Sequence, residues 1–480
     1  MEEGEQKIEE NCGLCVSHSL HDIYSFLKSL QHRGREAAGL GFIGKERIDV
    51  LKWVGRVDRF DLGDIYKIFK IPDYHTFFAH VRYATRGRKD KLLEDAHPHV
   101  IGGRAEIRDS HVIIRDCEVI GIHNGQVNPE FLKEISPELL KTQCDTEALL
   151  HFYRQNSEVG LIKKIPGSYT LAIADKRRKQ VIVMRDRTGI KPGVLGWKDG
   201  KYLIASEDSA IRKNGAEFRN DLTPGTIYYL YSDGRKPNEE FVLPLSNKFC
   251  FFEYNYVAHV DSIINGVPVR RIRETLGEIL AEEFPLKADI VSFLPRCPEV
   301  AARKYAEARN IPFFNLFYKP RDERAFQGST LEDRKQSIKE NLYILPETNK
   351  EETIDFLKNK DVIIIDDSTI RGNNSKRAVE LLKKSGAKKV YLLNYTPKIG
   401  IIGEDKIERG CLYGVDMPPD DDFVVRTKEK DKNRTSEEIN AEIGAEVYYI
   451  SPEGMLKGFE RLGLPRDNLC YFCIGGKKPF

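Results

Sequence analysis

The chain has 480 residues, with 76 Lys and Arg against 74 Asp and Glu, and 40% hydrophobic residues. A formal charge of +2 excludes a nucleic-acid or membrane binder that works through a bulk positive field. The length predicts two or three domains, each with a core large enough to stand without disulfides.

The start, MEEGEQKIEEN, is acidic and lacks the apolar stretch of a secretory signal. Apolar runs such as 362–365 fall far short of the ~18–20 residues of a membrane span. Both observations predict a cytoplasmic location. Nine cysteines, at 12, 15, 117, 144, 250, 297, 411, 470 and 473, are then predicted to be reduced. They divide among packing residues, metal ligands and a nucleophile.

Residues 12–245 predict many short strands, among them 169–175, 180–186 and 201–207, with helical stretches at 19–31 and 145–154. That pattern predicts an α+β sheet domain. From about 285 the rhythm changes to strand–helix–strand. Strands are predicted at 288–294, 311–318, 361–366 and 389–395, and helices at 299–310 and 375–386. An all-apolar strand within such alternation predicts a doubly wound parallel sheet. The boundary is placed near 246–265, and after about 450 the tail ends in a Gly/Lys-rich stretch with two cysteines.

VIIIDDSTIRGNNS (362–375) puts Asp366 and Asp367 at the end of a buried strand, followed by a polar turn and a helix. Ligands of open α/β sheets bind at the carboxyl ends of strands, and a helix N-terminus attracts anions. Two carboxylates there suit sugar hydroxyls or Mg²⁺, so the stretch predicts a phosphorylated-sugar site. An ordinary βα turn with solvated acids is the alternative. The wording resembles the phosphoribosyl pyrophosphate (PRPP) motif of type I phosphoribosyltransferases. By that resemblance Asp366 and Asp367 hold the ribose hydroxyls and Mg²⁺. Ser368, Thr369, Arg371, Gly372, Asn373, Asn374 and Ser375 then wrap the 5′-phosphate.

In the first half Cys12-Gly13 precedes QHRG (31–34), RYAT (82–85), HNG (123–125) and CDTEALL (144–150). A cysteine heading a strand-rich domain suggests an N-terminal-nucleophile hydrolase, whose own α-amine serves as base. That requires loss of residues 1–11. These stretches resemble, in order and wording, the class II glutamine amidotransferase domain. Residues 12–476 as a whole resemble the glutamine PRPP amidotransferase family, the source of 5-phosphoribosylamine for purine synthesis.

The resemblance implies a propeptide at 1–11 and an N-terminal-nucleophile (Ntn) α+β domain at 12–245. It implies an α/β phosphoribosyltransferase domain at 255–450 and a tail at 451–480. Cys12 is then the nucleophile, and Asn124 with the N–H of Gly125 forms the oxyanion hole. Arg82 and Thr85 bind the glutamine carboxylate, Asp145 its ammonium, and Arg33 sits on the loop closing over glutamine. Family members form homotetramers controlled by purine nucleotides.

Cys250, Cys411, Cys470 and Cys473 suit a structural Fe–S cluster or a zinc site. Some family members carry a 4Fe–4S cluster in these four contexts, together with a short propeptide. Cys15, Cys117, Cys144 and Cys297 are predicted to be small packing residues.

Three features depart from the family. Asn373 and Asn374 replace two threonines, and the pyrophosphate loop reads Pro295-Arg296-Cys297-Pro298 in place of an acid and hydroxyls. The loop expected to cover PRPP, 319–330, keeps only an echo of the family wording. These changes keep open a nucleotide or sugar-phosphate sensor, or an enzyme acting on another phosphosugar.

Overall fold

Strand β1, Gly13–Ser17, turns Cys15 to one face and Leu14 and Val16 to the other, as the two-residue period of a strand requires. The computed structural model describes residues 12–83, 92–142, 144–242, 244–295, 297–318, 342–344, 356–415 and 417–480. The expected propeptide 1–11, Thr85, Arg296 and the loop 319–330 lie outside the described residues.

Among the described residues, thirteen strands between Gly13 and Phe241 form one sheet. They include β1, β2 (Tyr74–Arg82), β3 (His111–Gln126) and β4 (Ser168–Asp175). The β2–β1 and β3–β4 ladders are antiparallel. Leu14, Val16 and Phe78 share a core with Ile122, Ala172 and Val183, from strands far along the sheet order. The sheet therefore folds back on itself into two layers. Helix α1, Leu20–Ser29, covers one outer face through Ile23, Phe26 and Leu27, and α2, Asp145–Lys164, covers the other through Leu149, Leu150 and Phe152. Ser19 caps α1 by accepting the Asp22 N–H at 3.2 Å. The α2 segment outruns the expected 145–154 because it resumes after a break at Ser157 (φ 64°, ψ 172°).

The second half carries four parallel strands: β5 (Ile290–Phe293), β6 (Asp361–Asp366), β7 (Lys389–Asn394) and β8 (Glu446–Tyr449). Val362, Ile363, Ile364 and Ile365 are all fully buried, which is why this strand reads as continuously apolar. Helix α3 (Val269–Glu283) precedes the sheet, and α4 (Asn373–Lys384) crosses from β6 to β7. The register aligns Asp366 with Asn394, and Asn394 with Tyr449, on one sheet edge.

Two expectations change. The apolar run 311–318 gives only a single bridge from Phe313 to Val291 and a short strand at Phe317–Tyr318. Pro312 has no N–H to extend the bridge into a ladder. The tail contains a helix, α5 (Pro452–Arg461), capped by the Ser451 hydroxyl on Gly454 N–H at 2.8 Å. Phe249–Cys250 pairs in parallel with Leu469–Cys470, joining the segment between the halves to the tail. Among the described residues no helix is long and apolar enough to cross a membrane.

Candidate active sites

Gly13 pairs with Val81 across β1 and β2, so Cys12 precedes β1 at the end of the ladder where Arg82 ends β2. Both are buried. Arg33 lies in the turn after α1, and its Nε donates to the Cys12 carbonyl at 2.8 Å. The rest of its guanidinium is held by Glu207 at 2.6 Å and by Glu253 at 3.0 Å. Glu253 also accepts from Lys191 Nζ at 3.0 Å. Arg33 thus holds the backbone of the expected nucleophile within a buried ion network. Burial alone would push Glu207 and Glu253 up. For Glu207 the charges of His32 and Arg33 outweigh it, for Glu253 those of Arg33 and Lys191, and both carboxyls lie below their usual range.

Asn124 lies in β3 opposite Thr170, with both amide atoms buried and without a hydrogen-bond partner. An unsatisfied buried amide costs about 1–3 kcal/mol, a cost expected where a ligand supplies the missing partner. Gly125 follows at φ 149°, and a Cβ there would lie 1.7 Å from the Ser168 carbonyl oxygen, so no larger residue fits. Arg82 stands 3.6 Å from Asp95. Asp145 opens α2, accepts the Val127 N–H at 2.8 Å and lies 3.4 Å from His123 Nδ1.

At the other site Asp366 accepts the Asp367 N–H at 2.9 Å, and Asp367 accepts the Ser368 hydroxyl at 2.7 Å. Burial pushes Asp367 up to about 6, against the Ser368 hydrogen bond and the charge of Arg273. Thr369 donates to Asn394 at 2.7 Å and lies 3.4 Å from Ser375. Arg371 pairs with Asp421. Gly372, at φ +78°, leads into α4, and a Cβ there would meet Ile443 at 2.7 Å. Asn373 and Asn374 are therefore the first residues of the helix, two earlier than expected, and their backbone belongs to its anion-attracting end.

Cys297 is half-buried at the carboxyl edge of the sheet, 3.5 Å from the Tyr256 carbonyl. Sequence placed it among packing residues. The turn after β5 instead leaves it at the site's rim, in the neighbourhood of Tyr395, Asp366 and Asp367.

The four remaining predicted ligands come together. Cys250 and Cys470 are neighbours in the parallel bridge, and the Cys473 thiol feels those of Cys411, Cys250 and Cys470. Burial, and then the neighbouring thiols, pushes Cys470 and Cys473 well above the usual thiol range. The Tyr413 N–H donates to Cys411 Sγ at 3.3 Å. Four buried thiols, of which Cys470 and Cys473 feel their neighbours, suit the thiolate ligands of a cationic core.

Sequence reasoning missed Glu207, Glu253, Lys191 and Arg273. Each is a single charged residue whose partner is remote in sequence, and burial alone reveals it.

The folds and sites define a class: an N-terminal-nucleophile amidotransferase domain joined to a type I phosphoribosyltransferase domain. Residues 110–213 match the glutamine amidotransferase domain family. The amidophosphoribosyltransferase of Methanocaldococcus jannaschii is 30% identical over 95% of this chain and 94% of its own. That of Archaeoglobus fulgidus is 30% identical over the same shares, 95% and 94%. The solved glutamine PRPP amidotransferase from Bacillus subtilis, complexed with ADP and GMP, superposes with a TM-score of 0.78 at 27% identity. It covers 98% of this chain and 97% of that one. The chain belongs to the amidophosphoribosyltransferase family.

Proposed function

We propose that this enzyme makes 5-phosphoribosylamine from glutamine and PRPP, the first committed step of purine synthesis. The observation that supports it best is the buried, partnerless amide of Asn124 beside Gly125, in the same chain as the Asp366–Ser375 sheet edge. In this reading the Cys12 thiol attacks the glutamine amide carbon, and its α-amine, exposed by loss of residues 1–11, takes and returns the proton. The Asn124 amide and the Gly125 N–H stabilise the tetrahedral oxyanion. Arg82 and Thr85 hold the glutamine carboxylate, Asp145 holds the ammonium, and Arg33 positions the Cys12 carbonyl. Ammonia leaves and water hydrolyses the thioester to glutamate. Ammonia then displaces pyrophosphate from C1 of PRPP at the second site, which requires a path closed to water.

Asp366 and Asp367 orient the ribose hydroxyls. Ser368, Thr369, Gly372, Asn373, Asn374 and Ser375 hold the 5′-phosphate, and Arg371 braces the turn through Asp421. Mg²⁺ held by the two aspartates would neutralise charge on the pyrophosphate. Cys250, Cys411, Cys470 and Cys473 would hold a 4Fe–4S cluster that ties the inter-domain segment to the tail. Iron and acid-labile sulfide should both be found in anaerobically purified protein, and zinc without iron would reverse the assignment. Homotetramers and purine-nucleotide inhibition are proposed on family kinship.

Pyrophosphate release from PRPP and Mg²⁺, driven by glutamine or by ammonia, tests the reaction. The changed loop at 295–298 supports a second reading, a sensor that binds nucleotide or sugar phosphate; tight binding without release would favour it. Replacing Asn124 with Ala should lower glutamine-dependent kcat by about 10²–10³, with ammonia-dependent kcat preserved. Equal loss of both activities would remove Asn124 from the oxyanion hole.

A further inference from the structure

Behind Asp145 lies a buried group that this reaction does not use. His97 and His99 flank Pro98 just before and at the start of the strand His99–Ile107, and Cys144 caps the N-terminus of α2. Each offers a ligand atom, and these three atoms lie within 4.8 Å of one another. All three side chains are buried, at 0%, 2% and 4% exposure.

The hydrogen bonds around the rings orient them. His97 Nε2 lies 2.8 Å from the Thr146 hydroxyl, and His97 Nδ1 is buried with no hydrogen-bond partner. His99 Nε2 lies 3.2 Å from the Asp95 carbonyl, which only accepts, so this nitrogen bears the proton. Nδ1 is then the lone-pair nitrogen of His99. A metal-bound histidine commonly has its far nitrogen tied to an oxygen in this way.

We propose that His97, His99 and Cys144 bind one zinc-class divalent cation, which staples segment 92–99 to the N-terminus of α2. Two imidazoles and a thiolate suit a borderline-soft ion such as Zn²⁺ or Co²⁺, whereas Mg²⁺ and Ca²⁺ demand oxygen. Three protein ligands leave a fourth tetrahedral position for water. Cys144 Sγ now points its proton at Asp145, 3.8 Å away. Binding forms the S–metal bond and releases that proton to solvent.

Burial keeps both imidazoles well below 6.5, hence neutral and ready to ligate. The opposing charges are Arg82 and Lys52. Burial lowers Lys52 to about 8, and its ammonium is held by the Glu94 carbonyl at 3.2 Å. The staple reaches both ends of the glutamine pocket, since Asp95 stands against Arg82 and Cys144 adjoins Asp145.

The test is cobalt(II) titration of the full chain, reduced and under anaerobic conditions, beside Cys144→Ser and His99→Gln. Serine is a favoured N-cap, so the first variant should fold, and the second removes a ligand without touching sulfur. Both variants keep Cys250, Cys411, Cys470 and Cys473, so metal taken up there cancels in the comparison. Wild type should bind one more equivalent than either variant, and its thiolate-to-cobalt absorption should exceed that of Cys144→Ser by an increment that zinc displaces. Equal uptake by wild type and either variant would overturn the proposal.

Discussion

Cys12→Ala should abolish glutamine-dependent synthesis, by about 10⁴-fold or more, while ammonia still supports synthesis at the second site. The reason is positional. Cys12 sits at the end of β1, its carbonyl held by Arg33 at 2.8 Å and its neighbour Leu14 held by the Ser206 hydroxyl at 3.0 Å. Neither of these two contacts uses the sulfur, so both remain open to the alanine variant. Deleting one buried atom costs only about 1 kcal/mol of transfer energy. Rates with each nitrogen donor, measured beside the N-terminal sequence of the purified chain, separate chemistry from processing. Glutamine-dependent turnover surviving in the variant would sink the nucleophile assignment.

Arg33→Met should destabilise the protein by about 3–5 kcal/mol, the usual effect of breaking a buried ion pair from one side. Methionine fills much of the space but leaves Glu207 and Glu253 buried, with His32 and Lys191 as their remaining partners in the network. The loss should appear as a lower denaturant midpoint. Because the Cys12 carbonyl loses its donor as well, glutamine-dependent kcat should fall further than ammonia-dependent kcat.

The network also fixes the sign of a pH effect. Glu207 and Glu253 have folded pKa values below the ordinary 4.5. Their stabilisation is therefore fully present above about pH 4.5 and drains away as pH falls through the lowered values. The wild type should lose stability on acidification over this window, and Arg33→Met should lose less. A variant as stable as wild type at pH 7 would show that the network contributes nothing net.

What could be read in advance followed from local physics. The run 362–365 announced its strand because burial on both faces leaves no polar alternation. Ser368, Gly372 and the carboxylates beside them announced a polar turn between that strand and a helix, because few residue types serve there. The start of α4 was misplaced by two residues, since asparagine is a weak helix signal and the left-handed Gly372 sets the boundary. Pro312 broke an apolar run that otherwise looked like a strand. The role of Arg33 was out of reach, because its partner Glu253 lies 220 residues away in sequence. The thiols of Cys144 and Cys297 have the same composition-level meaning, and only their surroundings separate a helix cap from a site rim.

The ion network has a further consequence, for dissection of the gene. A fragment ending at 245, where the strand-rich half stops, would keep Arg33 and Lys191 but discard the carboxylate they share. It would also discard Gly414, whose N–H meets Gln126 at 3.1 Å and whose carbonyl meets Lys191 at 2.8 Å. Such a fragment would keep the Arg33–Glu207 pair but lose the Glu253 link between Arg33 and Lys191, and would leave the strand end next to Asn124 without its Gly414 contact. The ammonia-releasing half is therefore not a portable module, and fusions or domain exchanges should cut beyond Ala258 and carry the 411–417 segment with them.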